Sequence, residues 1–182
     1  HSDKFVFISE YSKNLKKKRA DAVITDIPRL PIGILTADCV PILIYDKQKK
    51  MVAAIHAGWK GAYKGIISKV INFMIKKGCE KNIIAVIGPC IAQKSYNVKE
   101  DFKRKFLKKD KRNKVFFKKR KNLIHFDLSK YVKLQLKLMK IANIETINID
   151  TFPKKNNFFS ARRSLHLNHD DYGRNISLIM IN

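Results

Sequence analysis

The 182-residue chain predicts an α+β domain, a mixed α/β layered sandwich, on three observations. Short apolar, β-branched runs recur along its whole length, separated by turn residues. Helical rhythm interrupts them in only a few places. Strands and helices follow one another without the regular βαβ period of a doubly wound sheet. No repeat or composition shift divides the sequence, so residues 1–182 read as a single domain large enough to bury a sizeable core.

The predicted strands are Phe5–Ile8, Ala22–Thr25, Ile32–Leu35, Val40–Tyr45, Val52–Ile55, Ile83–Ile87, Ile147–Ile149 and Ile176–Ile181. Asp46-Lys47-Gln48-Lys49 has the polar character of a hairpin connection between two of them. A helix is predicted from Ala62 to Lys77, where Tyr63, Ile66, Ile67, Val70, Ile71 and Met74 share a face and Gly78 supplies the stop. A second is expected to begin at Asn97, because Asn97-Val98-Lys99-Glu100 has the form of a capping box. Asp127 is placed to cap a third, running through Met139.

Charge is the most unusual feature of the composition: 39 Lys and Arg against 15 Asp and Glu, a net +24. It concentrates in 103–121, where 12 of 19 positions are basic with Phe106, Phe116 and Phe117 interleaved. A nucleic-acid surface would pair such cations with stacking aromatics. Lysine outweighs arginine and is spread along the whole chain, however, which favours a solvated face. Residues 103–121 are therefore expected to form a basic insertion or mobile loop, with no nucleic-acid partner. No apolar run approaches the ~20 residues of a membrane helix, so no membrane partner is expected. Three cysteines without regular spacing argue against a disulfide framework and point to a reducing cytoplasm.

Chemistry concentrates in Thr36-Ala37-Asp38-Cys39-Val40-Pro41 and His56-Ala57-Gly58-Trp59-Lys60-Gly61. A thiol and an imidazole sit beside buried strands here. Together they suit a borderline-soft metal such as zinc or a Cys/His nucleophile pair. Ile87-Gly88-Pro89-Cys90-Ile91 also ends a strand at a turn, but position 93 is Gln and no His-x-Glu occurs, which excludes the zinc deaminase signature. Cys90 reads as a packed residue. The adjacent Arg162 and Arg163 are candidates to hold a phosphate.

These motifs resemble the YfiH-like family, also called the laccase-domain or polyphenol oxidoreductase family and, more recently, purine nucleoside phosphorylase. The pieces that carry the resemblance are Ala20-Asp21-Ala22-Val23-Ile24-Thr25, the Cys39 and His56 motifs, Ile87-Gly88-Pro89-Cys90-Ile91, Phe159-Ser160-Ala161-Arg162-Arg163 and Gly173-Arg174, in the family's order over essentially the whole chain. The resemblance implies a YfiH-like single domain whose zinc is held by His1, Cys39 and His56. It also implies that a family segment preceding the first zinc histidine is lacking here, and the family's late Cys-Thr reads Asp150-Thr151. Two neutral imidazoles and one thiolate would leave zinc an open position, as catalytic sites do.

The implied activity is phosphorolysis of adenosine, inosine, guanosine and methylthioadenosine, with adenosine deamination beside it. Purine nucleosides and phosphate are then the partners, and a homodimer is compatible with the resemblance. The catalytic set is Asp38, Cys39 and His56, with Asp38 as proton acceptor or supporting partner, and Lys60, Arg162 and Arg163 as candidate anion binders. Two alternatives stay open at this point. One is a Cys/His hydrolase of amidase type, as in editing of peptidoglycan precursors; the other is a copper-dependent polyphenol oxidase.

Overall fold

The computed structural model describes residues 2–10, 19–79, 82–169 and 172–182. In chain order its strands are β1 (Phe5–Ile8), β2 (Ala22–Thr25), β3 (Ile32–Thr36), β4 (Val40–Asp46), β5 (Met51–Ala57), β6 (Ile83–Ile87), β7 (Asn97–Val98), β8 (Phe117–Arg120), β9 (Leu123–Phe126), β10 (Asn143–Thr146) and β11 (Asn175–Ile179). The helices are α1 (Trp59–Lys64), α2 (Ile66–Lys76), α3 (Glu100–Lys109), α4 (Leu128–Leu138) and α5 (Ala161–His166), with short 3₁₀ turns at Gln93–Ser95, Lys111–Phe116 and Lys154–Asn156.

Six strands make the main sheet, in the order β1-β2-β5-β4-β6-β10. The outer pairs β1–β2 and β6–β10 are parallel, and the inner pairs are antiparallel. One face, bearing Ile42, Ile44 and Ile55, shares an apolar cluster with Val70, Ile71 and Met74 of α2 and Val132 and Leu136 of α4. The opposite face, through Val52 and Ala54, packs on Ile32 and Ile34 of β3 and on Ile181. There β3 and β11 form an antiparallel pair. The result is the expected layered mixed α/β domain: small sheet, main sheet, helices. β4 and β5 are covered on both sides, which is why they read as continuous apolar runs rather than as an alternation.

The β4–β5 hairpin sets the geometry of everything that follows. Asp46 opposes Met51, with Asp46 Oδ1 accepting the Lys49 N–H at 2.7 Å across the turn. That register puts Pro41 opposite His56 and Val40 opposite Ala57. Cys39 and His56, 17 positions apart in sequence, are thus brought to one end of the sheet.

Four expectations are corrected. The helix predicted from Ala62 to Lys77 starts at Trp59 and is broken at Gly65, whose φ of 88° lies in the left-handed region that glycine adopts without strain. Asn97 does not cap a helix: it belongs to β7, its side-chain oxygen accepts from Arg162, and α3 starts at Glu100. Ile147–Ile149 is not a strand; β10 ends at Thr146, and Ile147 and Ile149 meet the chain around Ile87 and Cys90 through single backbone hydrogen bonds. Residues 103–121 are regular structure in place of the expected loop. They comprise most of α3, a 3₁₀ turn and β8, which joins β7 and β9 in a small antiparallel sheet. Phe102 and Phe106, four apart on α3, stack at 4.7 Å, and Phe106 is fully buried against Phe126 and Tyr131. Aromatic burial fixes the segment, and its lysines take what is left of the surface. The Asp127 cap of α4 is as expected, with Oδ1 accepting the Lys130 N–H at 2.9 Å.

Candidate active site

At the Cys39–His56 end of the hairpin lies a cavity of about 520 Å³. Asp38, Cys39 and His56 line it from the sheet, Trp59 from the start of α1, and Tyr96 from the loop before β7. Arg162 and Leu165 of α5 close one side, with Tyr172 and Arg174 leading into β11. Segments more than a hundred residues apart therefore share one hollow.

Asp38 holds much of this assembly. It is buried, and its φ of 79° is a conformation that Asp tolerates better than most residues. Oδ1 accepts from Thr151 Oγ1 at 2.7 Å, while Oδ2 accepts from Ser160 Oγ at 2.9 Å and from the Arg162 N–H at 2.7 Å. The carboxylate thus docks the first turn of α5 onto the sheet end, and both oxygens already accept hydrogen bonds from the protein.

Burial pushes the Cys39 thiol up to about 12, and the neighbouring Asp38 and Asp21 carboxylates add to the effect. Burial lowers the pKa of His56, with Asp21 opposing it. Near neutral pH the pair by itself is a thiol and a neutral imidazole. A thiolate here needs a cation beside the sulfur, and a divalent metal is the group this donor set fits. Among the described residues, no group of three or more His, Cys, Asp or Glu side chains is arranged to hold a metal ion. Cys39 and His56 supply two donors; His1, expected as the third, lies outside the described residues.

The candidate anion binders divide sharply. Arg162 lines the cavity, its guanidinium set over the Tyr96 ring at 5.2 Å and held by Nη1 on the Asn97 carbonyl at 3.0 Å. Arg163 is turned to the main chain, donating to the carbonyls of Thr151, Phe152 and Phe158. Lys60 is exposed, with its ammonium 5.6 Å from the centre of the Trp59 ring. Neither Arg163 nor Lys60 lines the cavity. Arg174, which the sequence reading left without a role, does, stacked on Tyr172 at 3.9 Å. Cys90 is buried and borders a separate hollow of about 610 Å³. Cys39, Cys79 and Cys90 are all free thiols.

A second residue passed over in the sequence is Asp21. Its Oδ1 lies 3.1 Å from His56 Nδ1, and its Oδ2 accepts the Ser2 N–H. Its sequence signals were its membership of the motif at 20–25 and its place immediately before β2, which pairs with β5 so that Ala22 opposes Ile55.

The whole chain, residues 1–182, matches the model of the multi-copper polyphenol oxidoreductase laccase family. A purine nucleoside phosphorylase of Rickettsia conorii is 42% identical over 159 residues, a match covering 86% of this chain and 65% of the relative. One of Rickettsia prowazekii is 39% identical over 169 residues, covering 92% of this chain and 69% of the relative. In structure, the chain superimposes on the YfiH protein of Bacillus licheniformis with a TM-score of 0.84 at 28% identity, covering 100% of this chain and 72% of that one. The matches thus span about two thirds of the length of these curated relatives. Among the described residues, no helix is long and apolar enough to cross a membrane.

Proposed function

The chain belongs to the multi-copper polyphenol oxidoreductase laccase family, and from that premise we propose that it is a zinc-dependent purine nucleoside phosphorylase. The observation that carries this reading is the meeting of the Cys39 thiol and the His56 imidazole with two arginines, Arg162 and Arg174, in one cavity. Relatives at 42% and 39% identity are named purine nucleoside phosphorylases, which supports the phosphorylase part of the reading. The substrates proposed are adenosine, inosine, guanosine and methylthioadenosine, with phosphate as the attacking group. Deamination of adenosine is a second reaction for the same cavity.

In phosphorolysis a phosphate oxygen forms a bond to ribose C1′ as the bond from C1′ to purine N9 breaks, and the base departs with the bonding pair. The attacking phosphate is an anion, and the cavity meets it with arginines. Arg162 is anchored through Nη1 and its own backbone N–H, leaving Nε and Nη2 to hold a phosphate, and Arg174 stands on the same wall. Trp59 and Tyr96 offer ring faces and edges for the purine. Burial raises the Tyr96 pKa, so its phenol stays a neutral O–H donor. Zinc, if bound, would be held by His1, Cys39 and His56 and would supply Lewis-acid polarisation. Asp38 acts as a positioning residue for Arg162 rather than as a base, since both its oxygens are engaged.

The test is product analysis on protein prepared without added metal. Adenosine should yield adenine and ribose 1-phosphate only when phosphate is present, and elemental analysis should find near one zinc per chain, lost in Cys39→Ala. Adenine release independent of phosphate, or copper in place of zinc, would overturn the reading.

A further inference from the structure

Asp21 occupies a position that neither Cys39 nor Arg162 shares: it is bonded through main chain and side chain to both segments that carry the histidines. Its backbone carbonyl accepts the His56 N–H at 2.7 Å, and its own N–H donates to the Lys4 carbonyl at 3.0 Å. One carboxylate oxygen lies 3.1 Å from His56 Nδ1, and the other accepts the N–H of Ser2, the residue after His1. The main-chain bonds fix the backbone of Asp21, and the Ser2 N–H and the His56 ring hold its carboxylate. Gly61, at the end of the His56 motif, leaves room for the same strand: a Cβ there would sit 2.9 Å from the Ser2 carbonyl oxygen.

A neutral imidazole carries its single proton on one nitrogen, and the partner of the other decides which. An ionised carboxylate accepts only. Two acceptors facing each other across 3.1 Å would repel, so the proton belongs on Nδ1 and the lone pair on Nε2. Histidines that bind metals are commonly oriented by a carboxylate in this way, and losing it costs affinity.

We propose that Asp21 is a positioning residue that fixes His56 in its Nδ1-protonated tautomer and, through Ser2, sets the N-terminal strand at a defined spacing from it. One carboxylate thus presents Nε2 of His56 to the metal and aligns the segment that follows His1. The metal clause rests on the zinc reading above; the tautomer clause does not.

Two measurements decide it. In metal-free, ¹⁵N-labelled protein, long-range proton–nitrogen correlations of the His56 ring, assigned with His56→Gln, report the tautomer directly. Wild type should show a protonated Nδ1 and an unprotonated Nε2, and Asp21→Asn, whose amide can donate to Nδ1, should shift the population to Nε2-protonated. Competition with a chromogenic chelator should then find zinc bound about 10- to 100-fold more weakly by Asp21→Asn. Asn keeps the size and the main-chain bonds, so circular dichroism should match wild type. Asp21→Glu should recover part of the Nδ1-protonated signal. An Nε2-protonated His56 in wild type, or zinc affinity of Asp21→Asn within twofold of wild type, would overturn the proposal. Neither readout involves turnover, so a missing phosphorylase activity leaves this inference standing, and its failure leaves the activity open.

Discussion

The cavity end of the β4–β5 hairpin and the layer built from α3, β8 and β9 treat charge in opposite ways. At and just behind the cavity wall the charged groups have assigned partners: three donors on Asp38, two on the Asp21 carboxylate, the Asn97 carbonyl under Arg162 and, turned away from the cavity, three carbonyls under Arg163. In the basic layer the ion pairs are local, each with one exposed partner, Lys103 with Glu100 at 3.4 Å and Arg112 with Asp110 at 2.7 Å, and Phe102, Phe106, Phe116 and Phe126 do the packing. Charge density and functional charge therefore point to different places. A few buried, fully hydrogen-bonded groups organise a site; many solvated ones cover a core.

The comparison predicts that the basic layer breaks through its aromatics. Phe106 is fully buried and touches Trp59, Tyr63, Phe126 and Tyr131. Phe106→Ala should cost about 3–5 kcal/mol in urea unfolding, the range for truncating a large buried aromatic. A cost below about 1 kcal/mol would mean that the layer is peripheral to the core. Because Phe106 and Phe102 contact Trp59 at the cavity wall, nucleoside affinity should fall as well.

At the cavity the corresponding break is Asp38→Ala. It leaves Thr151 Oγ1, Ser160 Oγ and the Arg162 N–H without their acceptor, and it puts Ala at a positive φ. A cost of about 2–4 kcal/mol is expected from the orphaned donors and the strained backbone. Adenine release should drop about 100-fold or more as α5 and Arg162 lose their anchor. Asp38→Asn, which keeps the conformation, should be milder in stability and similar in activity. Wild-type turnover in either variant would remove Asp38 from the site.

Most of the layered sandwich could be read from the chain because apolar runs of strand length record burial on both faces. Seven of the eight runs named above are strands within a residue or two, and the exception, 147–149, is apolar yet exposed at Ile147 and Ile149. Strands β7, β8, β9 and β10 escaped; in β8, Phe117-Lys118-Lys119-Arg120 has no apolar alternation, and its ladder partners, not its own pattern, make it a strand. At the site, Cys39 and His56 stood out because thiol and imidazole are rare beside buried strands. Asp21 did not, because its contacts with Ser2 and His56 are made across segments distant in sequence; Arg174 did not, because its own contacts are with the neighbouring Tyr172 and Gly173 and only the fold brings it to the cavity. Arg162 and Arg163 were indistinguishable in the sequence. On a helix neighbouring positions are about 100° apart, so only one of them faces the cavity.

A smaller effect separates the thiols by pH. Burial pushes Cys90 up to about 12 and Cys79 up to about 11, against ordinary values near 9. Each thiol is protonated in the folded chain while the unfolded chain begins to ionise. The stability tied to these groups is therefore fully present below about pH 9 and is lost as pH rises from there toward 11–12. Cys90 lies outside the candidate ligand set, so Cys90→Ala isolates it. The unfolding free energy of wild type should fall relative to Cys90→Ala between pH 8.5 and about 10.5; parallel curves would show that Cys90 ionises as easily folded as unfolded.

The smallest expected effect is the one that the charge count would call largest. Replacing Lys118, Lys119 and Arg120 by Gln removes three cations from the densest basic run, on a strand whose last three side chains are exposed. None of them lines the cavity, and among the described residues none forms an ion pair. Surface charges of this kind contribute about 0.5 kcal/mol or less each. Relief of self-repulsion in a +24 chain works in the opposite direction. The triple variant should unfold within about 1 kcal/mol of wild type, and its turnover should lie within twofold at moderate salt. At low salt a modest rise in KM for phosphate is expected, because the general positive field is reduced, and this rise should vanish as screening shortens the reach of the remaining charges to ~10 Å. A loss that persists at high salt would place these cations in contact with substrate. It would erase the distinction between a charged surface and a charged site.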